Sequence, residues 1–347
     1  MRLINLFSIL TIILLTTNAC NKNEEIVSFE PEKDDLIITI QDQFVAPPSR
    51  VSVFFKVETK DGTPVSGLTE ENFTIYEKGR NDDDPRLLSK DEATRIISDN
   101  SVVFQNRSIL LLDLSGSVLN NSLEELKAGA NEFIDNVITD DGNTSTSIGI
   151  WWFDGKDAIH TLIDFTTDAD NLHAAVNSVN TNLSNDSSTD LFGAILKGTA
   201  LAESKVEESR IQGILGAVSI IVFTDGTDQA ARYSREEAYD AVNNASEEIK
   251  FYTIGLGNEI DETVLTKIGK TSHVFASDTA ALTAKFEEIA QLVFDAANSF
   301  YLFEYCTPKR DGSGINELHI TVKKDNKEGD RITTFDATGF SADCDLF

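Results

Sequence analysis

The amino-acid sequence predicts an α/β protein in which a doubly wound, mostly parallel sheet is inserted into a small β-sandwich. Two observations indicate this fold. Patterns of buried strands alternate with helical periodicity through residues 106–299, as is typical of parallel strands joined by crossover helices on both faces. The flanking segments, 36–105 and 300–347, contain β patterns separated by turn signals, and we expect these two segments to pack together.

The first β segment contains three short strand patterns, at residues 36–40, 51–57 and 73–76. Turn signals such as Lys60-Asp61-Gly62-Thr63 separate them. This composition predicts a small β unit.

The central segment contains six strand patterns and six helix patterns. The strands are predicted at residues 108–112, 148–153, 159–163, 218–223, 249–256 and 273–275. The helices are predicted from about 118 to 137, around 172–179, at 191–206, from Ser234 onward, at 261–268 and at 279–297. Ser234 and Glu237 have the spacing of a capping box, which places a helix start at Ser234.

The last segment returns to β patterns. Residues 301–305 and the alternating apolar residues of 318–322 are predicted to form a hairpin around the turn at 311–314, followed by a further strand at 332–335. Cys306 and Cys344 have no His or Cys nearby in sequence, which favours a disulfide over a metal pair in an exported chain.

Size and charge bound the function classes. The chain has 347 residues, of which 41% are hydrophobic, so it can bury a sizeable core over two domains. Its net charge of −29 repels the phosphates of nucleic acids and anionic lipids. We therefore expect no nucleic-acid partner.

The amino-terminal segment has the features of a secretion signal. Residues 1–19 carry a positive charge at Arg2 and an apolar run, residues 6–15, that is too short to be a permanent membrane helix. Residues 20–35 are polar, acidic and without periodicity, which predicts a tether.

The sequence Thr17-Asn18-Ala19-Cys20 resembles the lipobox of bacterial lipoproteins, in which the cysteine becomes the lipidated first residue. The resemblance implies a protein of the bacterial cell envelope that contacts the outer membrane only through a lipid anchor at Cys20. The acidic pair Glu24-Glu25 is similar to the surface-export tags of Bacteroidetes lipoproteins and implies surface exposure. An ordinary cleaved signal beside a chance cysteine is the alternative.

Three stretches of sequence place oxygen-bearing side chains at the ends of predicted elements. They are Asp113, Ser115 and Ser117 after the strand at 108–112, Thr189 before the helix at 191–206, and Asp225 after the strand at 218–223. In an open α/β sheet, ligands bind at the carboxyl edge of the strands. Two carboxylates about 5 Å apart repel by roughly 3 kcal/mol at an effective dielectric constant of about 20, and a cation between them reverses this repulsion. The pattern predicts a Mg²⁺ site, with Mn²⁺ and Ca²⁺ as alternatives.

Each of these residues also has a structural explanation when it is considered alone. Ser115 or Ser117 could cap the following helix, and Asp225 belongs to an Asp-Gly turn pair. The joint order of the residues along alternating elements favours the metal site. Asp190 and Asp228 lie beside the predicted ligands and are expected to support the loops.

The pattern Asp-x-Ser-x-Ser at residues 113–117, with Thr189 and Asp225 following in order, resembles the metal-ion-dependent adhesion site (MIDAS) of von Willebrand factor type A (VWA) domains. The resemblance covers the predicted domain at 106–299 and implies a Rossmann-like fold. It also implies that Ser115 and Ser117 bind the ion directly, Thr189 directly or through water, and Asp225 through water. A protein partner would then complete the coordination with an Asp or Glu.

Three classes of function are compatible with this chain. The first is a metal-dependent protein-binding module. The second is a phosphohydrolase, because an aspartate after an apolar strand and a later Thr-Asp-Gly also resemble haloacid-dehalogenase-like phosphatases. Those enzymes use an acid two positions after the nucleophile, where this chain has Ser115, so no catalysis is expected. The third is a structural envelope protein without metal-dependent binding.

Overall fold

The computed structural model describes residues 35–89, 95–98, 104–139, 145–310, 314–344 and 346. The predicted signal peptide, Cys20 and the tether up to residue 34 lie outside the described residues. Within the described part, no helix combines the length and apolar character needed to cross a membrane.

The described chain contains strands, α-helices and two single turns of 3₁₀-helix, at Glu70–Asn72 and Thr279–Ala281. The strands are β1 (Leu36–Ala46), β2 (Arg50–Thr59), β3 (Phe73–Lys78), β4 (Arg86–Leu87), β5 (Arg95–Ser98), β6 (Phe104–Asp113), β7 (Thr146–Phe153), β8 (His160–Thr166), β9 (Leu215–Thr224), β10 (Ile249–Leu256), β11 (Ser272–Ala276), β12 (Phe300–Cys306), β13 (Ile315–Lys324) and β14 (Lys327–Asp336). The α-helices are α1 (Gly116–Asn121), α2 (Leu123–Val137), α3 (Ala169–Ser178), α4 (Leu191–Ile211), α5 (Arg235–Asn244), α6 (Glu262–Ile268) and α7 (Leu282–Ala297).

The central sheet has six strands in the order β11-β10-β9-β6-β7-β8. All neighbours are parallel except β7 and β8, which are antiparallel. The loop between β7 and β8 has too few residues for a crossover helix, so β8 must return along the edge of the sheet. The predicted doubly wound, mostly parallel sheet is confirmed.

Helices cover both faces of this sheet because the central strands are apolar on both sides. In β6, Leu110 and Leu112 pack in the core on the side of α2 and α7, whereas Ile109 and Leu111 pack in the core on the side of α4, α5 and α6. All four side chains are buried, and each such burial contributes about 1.5–3 kcal/mol.

The helix predicted to run from the first loop to residue 137 is broken in two. Helix α1 ends before Ser122, whose backbone is not helical, and α2 begins after it. Helix α2 then packs closely against α7, where a Cβ at Gly129 would lie 2.4 Å from the Phe286 ring. This approach requires glycine at position 129.

The two end segments pair into a β-sandwich, as predicted. One sheet has the order β1-β2-β12-β5 and the other β14-β13-β3-β4, and both are antiparallel. Their inner faces share one core, to which β2 contributes Val53 and Phe55, β12 contributes Phe303, and β13 contributes Leu318 and Ile320.

The predicted hairpin between residues 301–305 and 318–322 is wrong. Strand β12 pairs with β2 and β5, whereas β13 pairs with β3 and forms its hairpin with β14. The inner faces of β12 and β13 lie in the same core from opposite sheets. If the two strands paired in one sheet, the inner face of the other sheet would lack the apolar side chains that it contributes to this core. The predicted disulfide is present, and it joins Cys306 at the end of β12 to Cys344.

An aromatic cluster joins the sandwich to the α/β part. Phe104 at the start of β6 and Phe300 at the start of β12 have ring centroids 4.4 Å apart, and Phe54 stacks on Phe300. Leu215 and Ala217 of β9 pack against the same cluster. The sandwich therefore contacts the amino-terminal edge of the parallel sheet, and the carboxyl edge lies at the opposite end.

Glu77 is buried in the sandwich. The hydroxyl of Thr307 donates a hydrogen bond to Oε1 of Glu77 at 2.6 Å, and Nδ2 of Asn316 donates another at 3.0 Å. Burial nevertheless raises the pKa of Glu77 to about 7, and these hydrogen bonds offset only part of the effect.

We expect Glu77→Gln to be more stable than the wild type at pH 8 and to lose this advantage below about pH 4.5. The carboxylate ionises readily in the unfolded chain but at a cost in the folded one, so wild-type stability falls as pH rises from about 4.5 through 7. The difference reaches at most about 3 kcal/mol. Denaturant unfolding from pH 4 to 8 measures it, with exposed Glu71→Gln as the control. Equal pH slopes for wild type and Glu77→Gln contradict this account.

Candidate metal centre

Asp113 is the buried end of the central strand β6. The hydroxyl of Thr224, at the end of the neighbouring strand β9, donates to Oδ2 of Asp113 at 2.6 Å. The amide of Ser115 donates to Oδ1 at 2.9 Å. The side chain is fully buried, and burial raises the pKa of Asp113 to about 6, with a further increase from the charge of Asp225. The carboxylate is thus held in place by two donors, and no described Lys, Arg or His forms an ion pair with it.

Two serine hydroxyls connect Asp113 to the second carboxylate. Ser115 Oγ lies 3.3 Å from Ser117 Oγ, and Ser117 Oγ donates to Oδ1 of Asp225 at 2.8 Å. Burial raises the pKa of Asp225, as does the nearby Glu259 carboxylate, while the hydrogen bond from Ser117 lowers it. Four of the five predicted residues therefore lie in one hydrogen-bonded chain at the carboxyl edge of the sheet.

Thr189 is buried at the same edge, just before α4. Its carbonyl oxygen accepts hydrogen bonds from the amides of Gln229 at 2.8 Å and Ala230 at 3.0 Å, which belong to the loop after Asp225. Among the hydrogen bonds of the described residues, none links its side chain to the other four. The structure brings the main chain of Thr189 to the site and leaves its hydroxyl outside the hydrogen-bonded chain.

Close contact between two loops keeps Thr189 near the serines. The amide of Gly116 donates to the carbonyl oxygen of Ser187 at 3.2 Å. A Cβ at position 116 would lie 2.8 Å from the Cβ of Ser187, so any larger residue would push the loops apart. The glycine between the two serines is therefore required by packing.

Sequence reasoning missed the role of Asp154, which follows β7 and is fully buried. Its carboxylate accepts hydrogen bonds from Ser184 Oγ at 2.7 Å and from the amide of Lys156 at 2.8 Å. Its carbonyl oxygen accepts from the amide of Asp190 at 2.9 Å. Asp154 thereby orders the loop that carries Thr189. The pair Asp154-Gly155 follows an apolar strand, just as Asp225-Gly226 does. This pattern could have marked Asp154 as a candidate residue of the site.

Asp190 and Asp228 support the loops, as expected. Asp190 caps α4 by accepting from the amide of Gly193 at 3.3 Å, and Asp228 accepts from the amides of Phe192 at 3.1 Å and Ala231 at 3.0 Å. Burial raises the pKa of Asp190. Its Oδ2 is buried without a hydrogen-bond partner in the described part of the chain.

The donor set fits a hard cation with few protein ligands. No group of three or more His, Cys, Asp or Glu side chains suited to a metal occurs among the described residues. Two carboxylates with neutral hydroxyl oxygens suit Mg²⁺, which keeps several of its waters. Neither Asp113 nor Asp225 forms an ion pair with a described Lys, Arg or His, and burial raises the pKa of both. A divalent cation would supply the missing positive charge.

The family model of the von Willebrand factor type A domain matches residues 109–292, which is more than half of the chain. The chain belongs to this family. VWA domains often mediate adhesion or protein binding, and they often bind a metal at the MIDAS.

Several solved structures are similar to this chain. A von Willebrand factor type A protein from Catenulispora acidiphila is 10% identical over 90% of this chain and 76% of that one, with a TM-score of 0.45. The vWF domain of the type V pili tip protein Mfa5 from Porphyromonas gingivalis is 13% identical. The match covers 56% of this chain and 96% of that domain, with a TM-score of 0.43. A third similar structure is proximal thread matrix protein 1 from the mussel byssus, with zinc in its MIDAS motif. It is 16% identical, and the match covers 55% of this chain and 48% of that one, with a TM-score of 0.45. No curated protein matches in sequence.

We expect Asp113→Asn to stabilise the metal-free VWA domain at pH 8. The asparagine can accept from the Ser115 amide and donate to Thr224 Oγ1, and it removes a buried charge. Because the pKa of Asp113 is raised from 3.8 to about 6, its ionisation destabilises the fold as pH rises through this range. The gain is at most about 3 kcal/mol and vanishes below about pH 4.

Unfolding in chelator at pH 4 and pH 8 measures this gain. Asp240→Asn, on the exposed face of α5, is the control. If Asp113→Asn is no more stable than the wild type at pH 8, the carboxylate does not carry the unneutralised charge described above.

Proposed function

We propose that this protein is a cell-envelope lipoprotein that binds another protein through a divalent cation at its VWA site. The observation that carries the proposal is the pair of partly or fully buried carboxylates, Asp113 and Asp225. The amide of Ser115 and the hydroxyls of Ser115 and Ser117 link them, and no described cation neutralises them. The proposed ion is Mg²⁺, held by Asp113, Ser115, Ser117, Thr189 and Asp225.

Differences in burial support one direction of approach for the partner. Asp113 and Ser115 are buried, whereas Ser117 is exposed and Asp225 is half-buried. The open side of the site is therefore the side of Ser117 and Asp225. A partner's Asp or Glu would enter from there and complete the coordination of the ion.

The overall charge supports the need for a cation. A chain with a net charge of −29 repels an acidic partner at long range. A divalent ion reverses the sign of the interaction locally, since two carboxylates and neutral hydroxyls leave it able to accept one more anionic ligand. The binding would consequently be strictly dependent on metal.

The anchor belongs to the same proposal. The resemblance of residues 17–20 to a lipobox supports lipidation at Cys20 and attachment to the outer membrane. The residues proposed to hold the ion lie at the edge of the VWA sheet opposite the sandwich. We propose no catalytic role, because Ser115 stands where a phosphohydrolase of the related pattern would need an acid.

We expect Mg²⁺ or Mn²⁺ to raise the melting temperature of the wild type, because an ion that binds only the folded state stabilises it by about 2.7 kcal/mol at 100 times its Kd. For a domain of the size of residues 109–292 that corresponds to several degrees, at roughly 2–4 °C per kcal/mol. Thermal unfolding with and without the ion measures the shift.

The shift should disappear in Asp113→Ala and in Asp225→Ala. It should persist in Asp157→Ala, which removes an exposed carboxylate that bonds to Lys197 and Tyr233 at the same edge of the sheet. A wild type whose melting temperature does not respond to divalent ions would point to the structural envelope protein without metal-dependent binding.

We expect capture of a partner from bacterial envelope extract to need the ion. The immobilised wild-type protein and Asp157→Ala should retain the same partner in Mg²⁺ and release it in chelator, and Asp113→Ala should retain none. Quantitative mass spectrometry of the eluates measures this. A partner that remains bound both in chelator and to Asp113→Ala contacts some other surface, and the proposed mode of binding is then wrong.

A further inference from the structure

A cleft lies between the sandwich and the VWA domain, at the edge of the sheet opposite the metal site. It comprises two adjoining cavities of about 600 and 670 Å³. Both are lined by Lys56 and Glu58 of β2 on one side, and by Glu247, Lys250 and Ala296 on the other. Cavities of this size are typical of sites for small molecules.

Lys250 is the unusual residue of this cleft. It lies near the start of β10, is half-buried, and has no hydrogen-bond or ion-pair partner among the described residues. Burial lowers the pKa of Lys250, and the ammonium groups of Lys56 and Lys270 lower it further, while the carboxylates of Glu58 and Glu247 raise it. A partly buried ammonium without an acceptor destabilises the fold unless an anion reaches it.

The other two lysines differ in their partners. Lys56 forms an ion pair with Glu58 and lies over the Phe300 ring, 5.6 Å from its centroid. Lys270 also lines the cleft, and its Nζ donates to the carbonyl oxygen of Val242. Burial lowers the pKa of Lys270 as well. Among the described residues, no carboxylate pairs with Lys270.

Four carboxylates also line the cleft, and none forms an ion pair with Lys250 or Lys270 among the described residues. Glu248 pairs instead with Arg210, at 2.7 Å. Glu58 is engaged by Lys56, and Asp61 is exposed and accepts a hydrogen bond from the Thr59 hydroxyl. Glu247 is exposed to solvent and forms no ion pair with a described residue. Lys250 and Lys270 therefore form no ion pair with any carboxylate of the described residues, in a chain whose overall charge is strongly negative.

We propose that this cleft binds a small polyanion, a phosphate or carboxylate compound with at least two negative charges, between Lys250 and Lys270. The two negative charges of the ligand would match Lys250 and Lys270, for which the described residues provide no ion-pair partner. The cleft is large enough for a small molecule. Lysine binds either anion as a point charge, so its chemistry does not separate phosphates from carboxylates. The site goes beyond the proposed function, because it lies at the other edge of the VWA sheet and uses no residue of the metal centre.

Titration calorimetry in metal-free buffer of constant ionic strength tests the proposal, with pyrophosphate and citrate as probes. The mature protein should bind at least one of the two saturably, and the better probe identifies phosphate or carboxylate as the ligand group. Lys250→Met, which keeps the length of the side chain but removes its charge, should weaken binding by about tenfold or more. Lys127→Met on α2, where Lys127 pairs with Glu124, is the control and should bind like the wild type.

Absence of saturable binding of both probes to the wild type overturns the proposal, as does equal affinity of Lys250→Met and the wild type. Lys270→Gln should also bind the polyanion more weakly than the wild type. If Lys250→Met does not fold, the proposal is tested with Lys270→Gln, and an unchanged affinity of that variant overturns it. Asp113→Ala should bind the polyanion like the wild type, so failure of this site and failure of the metal site are separate results.

Discussion

The hydrogen bond from Thr224 to Asp113 is the interaction on which the candidate site depends. It joins the carboxyl ends of two adjacent parallel strands and holds a fully buried carboxylate in one orientation. A charge in this position is unfavourable by itself, and burial raises the pKa of Asp113 accordingly. The serine loop, the half-buried Asp225 and the loop that carries Thr189 all lie at the same edge of the sheet as this carboxylate.

The order of the chain separates this edge from the sandwich. The α/β part begins with β6 and ends with α7, and the starts of β6 and β12 meet in the aromatic cluster of Phe54, Phe104 and Phe300. In a parallel sheet all the amino-terminal ends lie on one edge, so a domain joined there presents its carboxyl edge to the opposite side. The lysine-lined cleft lies at this amino-terminal edge, between the sandwich and the α/β part.

Much of the fold could be predicted because its signals are local. The strands β6 and β9 are long apolar runs, and the capping box at Ser234 marks the start of α5 as predicted. The errors concern pairing. An alternating strand such as β13 shows which of its faces is buried but not which sheet it joins, and the break at Ser122 depends on how α1 and α2 pack over the core. Strand β8 is antiparallel to β7 because the loop between them is short. The pattern of apolar residues within a strand does not indicate this direction.

The order of the elements and the oxygen-bearing residues at their ends can be read along the chain, because both are local features of the sequence. Local patterns do not show that Thr224, 111 residues away, holds Asp113, or that Asp154 orders the loop of Thr189, and these contacts became evident in the folded chain. The folded chain also shows that Lys250 and Lys270 face one cleft without carboxylate partners among the described residues. The physical reason is that burial, charge and hydrogen bonding are set by distances in space, and residues far apart in sequence meet only when the strands take their places in the sheet.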